Sequence, residues 1–449
     1  MNTPKLNLFD LTMIVTGLVI GMGIFRTASD AAKESITPAV YFASWVGGGL
    51  IALCGALTYA EIGSRFPITG GYYKIFAECY HPSIAFAINC IILISNAASL
   101  SGVALIGSDY ISQILFKVPA ADFTKALIAM GAIVLFYGVN LVGLRMSSKT
   151  QNVLMLIKIS MILVLIFALF FPAAHVANAP AVAQTVSYDW SDYIKSFGAA
   201  LISVSFTYGG YQQTINFGEE VRNPRKTLPR GIFIGIMLII GLYLLVQVAY
   251  YNIIGFEQLK NTTGIAAVVA EKIFGAPGKY VFTLLLFFAV LAYVNVLLLS
   301  NPRVMYAMSM DGILPAVFKR RNVERDVLTV SLTAFAVTCV IVLFFANTFS
   351  KILGFTIFLD SIGMATSAAT IFILRKRTRH LNNTGIYTMK LYPVMPLLFI
   401  AAYLFVGTSI AINTPWLALT GTAVFAAFFV IYFLTAGARK KATGDNVTL

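Results

Sequence analysis

The stretch Leu18-Val19-Ile20-Gly21-Met22-Gly23-Ile24-Phe25 places two glycines, one residue apart, inside an apolar run from about Leu8 to Ala32. Each glycine costs about 1 kcal/mol relative to alanine in a helix interior, and backbone groups freed in a bilayer find no water. Residues two apart lie on opposite helix faces, which disfavours the alternative that the glycines form a close-packing face. We therefore predict an unwound segment that lines a polar cavity or binds a ligand.

The composition indicates an all-α, polytopic membrane protein. The 449 residues are 59% hydrophobic and only 11% charged. Apolar runs of about 20 residues, long enough to cross a bilayer, recur along the chain. We predict twelve transmembrane helices, at about 9–34, 38–65, 83–114, 124–143, 150–171, 193–220, 229–254, 278–308, 327–346, 352–374, 393–412 and 416–436.

The basic residues predict which side of the membrane each loop faces. The formal net charge is +14, and with twelve spans 22 of the 32 Lys and Arg residues fall on the side that holds both termini. The side richer in Lys and Arg is cytoplasmic. The positive charge thus reports topology, and we expect no nucleic acid as a partner. We expect the protein to lie in the lipid bilayer of the plasma membrane, which in a bacterium is the inner membrane.

A second interruption lies midway along the sixth predicted span, in Phe206-Thr207-Tyr208-Gly209-Gly210. Interrupted first and sixth spans are what an inverted repeat of five plus five helices produces. At each break, one half-helix presents N–H groups that suit a carboxylate, and the other presents carbonyls that suit an ammonium group. That combination is the chemistry of an α-amino acid.

Several motifs occur in the order found in a known family. They are Ile20–Phe25, Tyr59–Pro67 with Thr69–Gly71, Phe206–Tyr211, Gly218–Pro224 with Leu228–Arg230, Pro302–Val304 with Gly312–Pro315, Phe372–Arg377 and Leu391–Pro393. With these residues the chain resembles the amino acid–polyamine–organocation transporters, and within them the L-type amino acid transporters and their bacterial relatives. The resemblance covers about residues 9–436.

The resemblance implies ten helices in two inverted repeats plus two peripheral helices. The chain then divides into a cytoplasmic N-terminus (1–8), a first repeat (9–171), an extracellular linker (172–192), a second repeat (193–374), a cytoplasmic loop (375–392), two peripheral helices (393–436) and a cytoplasmic tail (437–449).

The resemblance also implies a site in which the first broken helix binds the substrate carboxylate, the sixth binds the amine and Phe206 covers the substrate from outside. The family usually has Ser or Thr between the two glycines, where this chain has Met22. Asn295 matches a family asparagine near the substrate, the alternative being an inter-helix hydrogen bond. The predicted substrate-binding residues are Ile20, Gly21, Met22, Gly23, Ile24, Phe206, Thr207, Tyr208, Gly209, Gly210 and Asn295.

Two charged residues inside predicted spans, Lys158 and Asp360, join Phe206 as candidates for coupling or gating. An unpaired ammonium in a membrane costs several kcal/mol, so Lys158 is a functional candidate unless it snorkels to the cytoplasmic interface. In similar proteins a lysine here bonds the unwound first helix where sodium-coupled relatives hold sodium, so we expect no sodium. Burial disfavours the charged amine, which leaves a proton as a candidate for coupling.

Asp360 has no counterpart in the family pattern. It either partners a cation or a polar cavity, or lies near the outer interface. Around it, the predicted specificity residues Met22, Phe206 and Thr207, with neighbours such as Asn96 and Ser99, offer neither a certain carboxylate nor an arginine.

We therefore predict a secondary active transporter, a permease or an exchanger, that moves neutral L-amino acids by alternating access. The alternatives are a transporter for cationic amino acids or polyamines with Asp360 as the cation partner, or a transporter-like receptor. An enzyme is disfavoured, because the sequence has no nucleophile–base pair and no metal-spaced His or Cys cluster, and we expect neither a cofactor nor a metal. No Walker motif is present, so we expect that ATP does not drive transport directly. Exchange and proton-coupled uptake both stay open.

Overall fold

The computed structural model describes residues 5–21, 23–116, 120–170, 188–262, 264–345, 349–379 and 385–434. In these ranges the chain is almost entirely helical, and three isolated β-bridges take the place of strands. The helices are α1 (Leu8–Val19), α2 (Gly23–Glu34), α3 (Pro38–Arg65), α4 (Gly71–Cys79), α5 (Pro82–Leu115), α6 (Asp122–Val142), α7 (Leu144–Phe167), α8 (Trp190–Tyr208), α9 (Pro224–Ile254), α10 (Phe256–Asn261), α11 (Ile265–Met310), α12 (Thr329–Phe345), α13 (Phe349–Arg377), α14 (Val394–Asn413) and α15 (Pro415–Leu434).

Nine helices within the described residues are long and apolar enough to cross a membrane, and two shorter ones, Leu8–Val19 and Thr329–Phe344, are also apolar. A span needs about 20 residues at a rise of about 1.5 Å each. The longest helix, α11, is interrupted at Gly275, where φ is 70° and ψ is −165°. The chain is therefore a multi-pass membrane protein.

Both predicted interruptions occur. The first apolar run forms two helices, α1 and α2, and α8 ends at Tyr208 before a 3₁₀ helix, Tyr211–Asn216. Met22 lies outside the described residues, as do most of the predicted linker 172–192, all of the predicted tail 437–449 and the first four residues.

Long buried helices surround the two interruptions. Helix α1 packs on α9 and α7, α2 packs on α8, and α11 packs on α5 and α7. The helices next to the breaks bury small or apolar faces; for example, a Cβ atom on Gly235 of α9 would lie 2.5 Å from the Val15 side chain of α1. Close backbone approach of this kind holds helices together in lipid, where no hydrophobic force acts between them.

A buried carboxylate joins the ends of three segments on the predicted cytoplasmic side. Glu61 accepts hydrogen bonds from Arg65 Nε (2.8 Å), Arg375 Nε (2.8 Å) and Arg375 Nη2 (2.7 Å), and from the Met389 amide (2.8 Å). Its side chain is fully buried. Removing one partner of this carboxylate would leave an uncompensated buried charge, which is strongly destabilising.

Candidate functional site

At the first break a lysine bonds the free end of the helix. Ile20 leaves the helical conformation with ψ at 80°, and its amide still donates to Thr16 O at 2.7 Å. The ammonium group of Lys158 in α7 donates to the Ile20 carbonyl, and the Lys158 side chain is fully buried. The lysine therefore does not snorkel to the interface. It supplies the donor that the interrupted helix lacks.

At the second break, two features of the Gly210 position exclude a side chain. Its φ of 115° lies in the left-handed region, which other residues adopt only with strain. A Cβ atom there would lie 2.2 Å from the carbonyl oxygen of Leu18 in α1. The Gly210 amide donates to Gln212 Oε1 at 2.9 Å, so the turn is closed by a side chain of the 3₁₀ helix that follows.

The two breaks pack directly against each other. A Cβ atom on Gly23 would lie 2.7 Å from Thr207 Oγ1, and Gly210 lies against Leu18. The hydroxyl of Tyr243 in α9 lies 3.2 Å from Val19 O and 3.4 Å from Thr207 O, so one donor serves a carbonyl from each break. The interruptions thus form one unit, fixed by glycine contacts and by a tyrosine from a third helix.

A cavity opens beside this unit. Its volume is about 60 Å³, so the cavity is small. The lining residues are Leu18, Val19, Gly21, Gly23, Asn96, Ser99, Val103, Ser205, Phe206, Thr207, Gly209, Gly210, Gln212, Gln213, Tyr293, Ile357, Asp360, Met364 and Tyr403.

A hydrogen-bond chain leaves one acceptor free at the cavity. Asn96 Nδ2 donates to Asn301 Oδ1 at 2.7 Å, and Gln213 Nε2 donates to Asn96 Oδ1 at 3.1 Å. Gln213 Oε1 is buried and has no partner among the described residues. A buried oxygen without a bond costs about 1–3 kcal/mol, so it favours a ligand N–H or O–H group nearby.

Asp360 reaches the cavity from α13. Its Oδ1 accepts a hydrogen bond from Ser95 at 3.1 Å, and within the described ranges it makes no ion pair. Of the two sequence interpretations, the structure places this carboxyl group at the polar cavity. A ligand in the cavity therefore has a carboxyl group in its wall.

The eleven predicted substrate-binding residues do not all line the cavity. Six of the eleven line the cavity, namely Gly21, Gly23, Phe206, Thr207, Gly209 and Gly210. Ile20, Ile24 and Tyr208 are buried behind it, and the Tyr208 ring packs on Trp45 and Tyr243 with centroids 6.0 and 5.1 Å apart. Met22 lies outside the described residues.

Asn295 does not line the cavity, so its predicted place beside the substrate needs correction. Its amide donates to Ser147 O at 3.2 Å and to Gln151 Oε1 at 2.9 Å, and its oxygen accepts from Asn140 at 3.0 Å. These bonds join α6, α7 and α11, as the inter-helix alternative expects. Each of its polar atoms is thereby occupied.

Sequence reasoning missed the amides Gln212 and Gln213, and the hydroxyls of Tyr243 and Tyr293. The two glutamines directly follow Tyr211, after the Gly-Gly pair, and polar residues there were a readable signal. The tyrosines lie in long apolar helices, where a single aromatic hydroxyl gives no local pattern.

A family model described as amino acid permease matches residues 6–444, nearly the whole chain. The chain belongs to this amino acid permease family. The family and the relatives below are transporters and not enzymes.

Three relatives align with most of this chain. It is 27% identical to the serine/threonine exchanger SteT of Bacillus subtilis, over 91% of each chain. It is 26% identical to the branched-chain amino acid permease BcaP of the same species, over 97% of this chain and 94% of the relative. It is 24% identical to the Asc-type amino acid transporter 1 of the mouse, over 97% of this chain and 82% of the relative.

Proposed function

We propose that this family member is a secondary active transporter for small neutral L-amino acids. The proposal includes twelve spans, a core of two inverted five-helix repeats, alternating access, cytoplasmic termini and a place in the plasma membrane. The observation that carries it is the pair of interrupted helices beside one small polar cavity. Such paired breaks present backbone groups of both polarities to a substrate.

The backbone at the breaks suits a zwitterion. Helix α2 begins at Gly23, where its first turn has N–H groups without helical partners, so a carboxylate is favoured there. Helix α8 ends at Tyr208, where carbonyls of its last turn favour an ammonium group. Both ends line the cavity through Gly23, Ser205, Phe206 and Thr207.

The cavity size supports a small substrate. A volume of about 60 Å³ suits the smallest amino acids better than lysine or arginine. Ser99 and Gln213 add hydroxyl and amide groups that suit a small polar side chain. The names of the relatives, a serine/threonine exchanger among them, agree with a neutral substrate.

Asp360 supports a second candidate, a transporter for cationic amino acids. A carboxyl group at the cavity without an ion pair in the described part of the chain is a natural partner for a cationic side chain. The first candidate stays preferred because of the cavity size, and the two are separated by experiment.

The test is uptake of radiolabelled serine into proteoliposomes with unlabelled competitors. Excess alanine, serine or threonine is expected to block uptake, and arginine or lysine is not. Inhibition by arginine that disappears in Asp360→Asn would overturn the neutral assignment in favour of the second candidate. Binding without uptake would instead identify a receptor.

The coupling is tested in the same vesicles. Lys158 donates to the Ile20 carbonyl, and the family resemblance implies that such a lysine stands where sodium-coupled relatives hold sodium, so we propose transport that is independent of sodium. Uptake is expected to be equal in sodium and choline buffers. Uptake only into vesicles loaded with amino acid identifies exchange, and uptake into empty vesicles driven by an inward proton gradient identifies proton coupling.

A further inference from the structure

A second cavity, whose lining shares no residue with the first cavity, lies where the N-terminal segment, the α6–α7 turn and the loop before α12 meet. Its volume is about 1150 Å³, comparable with the largest small-molecule pockets. The lining residues are Lys5, Leu6, Asn7, Asp10, Val142, Gly143, Leu144, Arg145, Met146, Ser148, Lys149, Asn152, Glu324 and Arg325.

The charges around this cavity are unbalanced. The basic residues Lys5, Arg145, Lys149 and Arg325 are all exposed, and none makes an ion pair in the described part of the chain. Of the two acidic residues, Asp10 is already bonded, because it accepts from the Asn7 amide at 3.1 Å and from Asn152 at 2.8 Å. Glu324 is the remaining carboxylate. Four cations against two carboxylates leave an excess of positive charge in the cavity wall, which favours an anion.

The backbone around the cavity is closely packed and hydrogen-bonded. A Cβ atom on Gly143, whose φ is 141°, would lie 2.7 Å from Arg325 O, and the Leu144 amide donates to that same oxygen at 3.2 Å. The Leu6 amide donates to Glu220 O at 2.7 Å, and Leu6 O accepts from the Arg222 amide at 2.9 Å. The backbones that carry the cations are thus held in place before any ligand binds.

The cavity lies at the membrane boundary. Helices α6 and α7 are both candidate spans, and they meet at Gly143 in the cavity wall. Val142 and Met146, next to the basic residues, expose 55% and 49% of their surface. A ligand held here has water on one side and acyl chains on the other.

We propose that this cavity binds the phosphate-bearing headgroup of an anionic phospholipid. The proposed orientation places it on the cytoplasmic side, where basic pockets between spans and anionic lipids meet. A lipid is favoured over a free phosphate because apolar side chains flank the cations and the bilayer supplies headgroups continuously. The headgroup joins the segment before α1 to the α6–α7 turn and to the loop before α12.

The test titrates the purified full chain with phosphatidylglycerol or phosphatidylcholine and counts bound lipids by native mass spectrometry. Phosphatidylglycerol is expected to bind, and phosphatidylcholine to bind at least about tenfold more weakly. The variant Arg145→Gln/Lys149→Gln/Arg325→Gln is expected to lose about fivefold in phosphatidylglycerol affinity per charge. The matched control Lys319→Gln/Arg320→Gln/Lys390→Gln removes three exposed charges elsewhere on the same predicted side, and its affinity is expected to stay within about twofold.

Glu324→Gln keeps the proposal falsifiable if the triple variant folds poorly, because it removes the free carboxylate and is expected to raise phosphatidylglycerol affinity by about fivefold. Unchanged or weaker binding in Glu324→Gln overturns the proposal. Equal losses in the two triple variants, or equal affinity for the two lipids, also overturn it. Displacement of the lipid by inorganic phosphate at similar concentration would assign the cavity to a soluble phosphate instead.

Discussion

Lys158 in α7 and Asp360 in α13 are two ionisable side chains inside spanning helices that make no ion pair in the described part of the chain, yet their surroundings differ. Lys158 is fully buried, and it donates a hydrogen bond to a backbone carbonyl of the broken helix. Asp360 lies in the cavity wall and accepts a bond from a serine on α5. One residue completes the backbone of a broken helix, and the other lines the cavity.

The difference shows that burial of a charge does not by itself reveal its role. Intramembrane ionisable residues are functional candidates as a class, and the partner decides the function. A lysine that completes a helix end is expected to affect the motion of that helix. A carboxyl group in a cavity wall is expected to affect which ligands bind.

The largest effect is expected from disturbing the contact between the two breaks, one of which carries the carbonyl that Lys158 bonds. Gly210→Ala places a Cβ atom 2.2 Å from Leu18 O and forces a non-glycine residue into a left-handed conformation. The strain alone costs about 1–3 kcal/mol, and the clash adds to it. We expect serine uptake in proteoliposomes to fall by more than about 100-fold.

Gly138→Ala is the matched control, because a Cβ atom on Gly138 in α6 meets nothing within 4 Å. Its uptake is expected to match that of the parent chain. Parent-like uptake by Gly210→Ala would show that the breaks do not need their close contact.

Lys158→Met is expected to have the next largest effect. The unbranched methionine side chain is one heavy atom shorter and has no donor, so it leaves the Ile20 carbonyl without its partner, which costs about 1–3 kcal/mol. We expect the transport rate to fall by about 10–100-fold and the substrate dissociation constant to change by less than about threefold.

The two quantities are measured separately, by initial uptake rates and by equilibrium binding of labelled serine. Lys195→Met, at an exposed position of α8, controls for the loss of a lysine. A larger loss of affinity than of rate would place Lys158 at the ligand and erase its contrast with Asp360.

Asp360→Asn is expected to have the smallest effect on a neutral substrate. The amide keeps the size of the side chain and an oxygen that accepts from Ser95, so only the charge is lost. We expect serine uptake to stay within about threefold of the parent chain, a change of less than about 1 kcal/mol. A drop of tenfold or more would show that the charge itself takes part, as a partner of a cation or a proton.

Both breaks were predictable from the sequence because glycines inside an apolar run have a known backbone cost. The bond from Lys158 to the first helix was expected from the family resemblance, and the structure has it. The place of Asp360 was left open, since its face of α13 is set by packing against α5 and α14.

Asn295 shows why site residues within one helix were harder to predict. A family match placed it near the substrate, but its neighbours in this chain, Asn140 and Gln151, occupy its polar atoms. Those partners lie about 150 residues away in sequence, and Tyr243 reaches Val19 from 224 residues away. No local pattern predicts which of several polar residues in apolar helices will pair with each other.

Glu61 has a consequence for how the chain is made. Its cation partner Arg375 lies 314 residues further along the sequence. At a synthesis rate of about 5–20 residues per second, Glu61 is inserted about 15–60 s before Arg375 leaves the ribosome. During that interval Arg65, one turn away, is the bonded partner already present, so the two residues can be inserted as a neutral ion pair. Insertion of α13 then adds Arg375 to the cluster, so the complete ion cluster forms late in assembly.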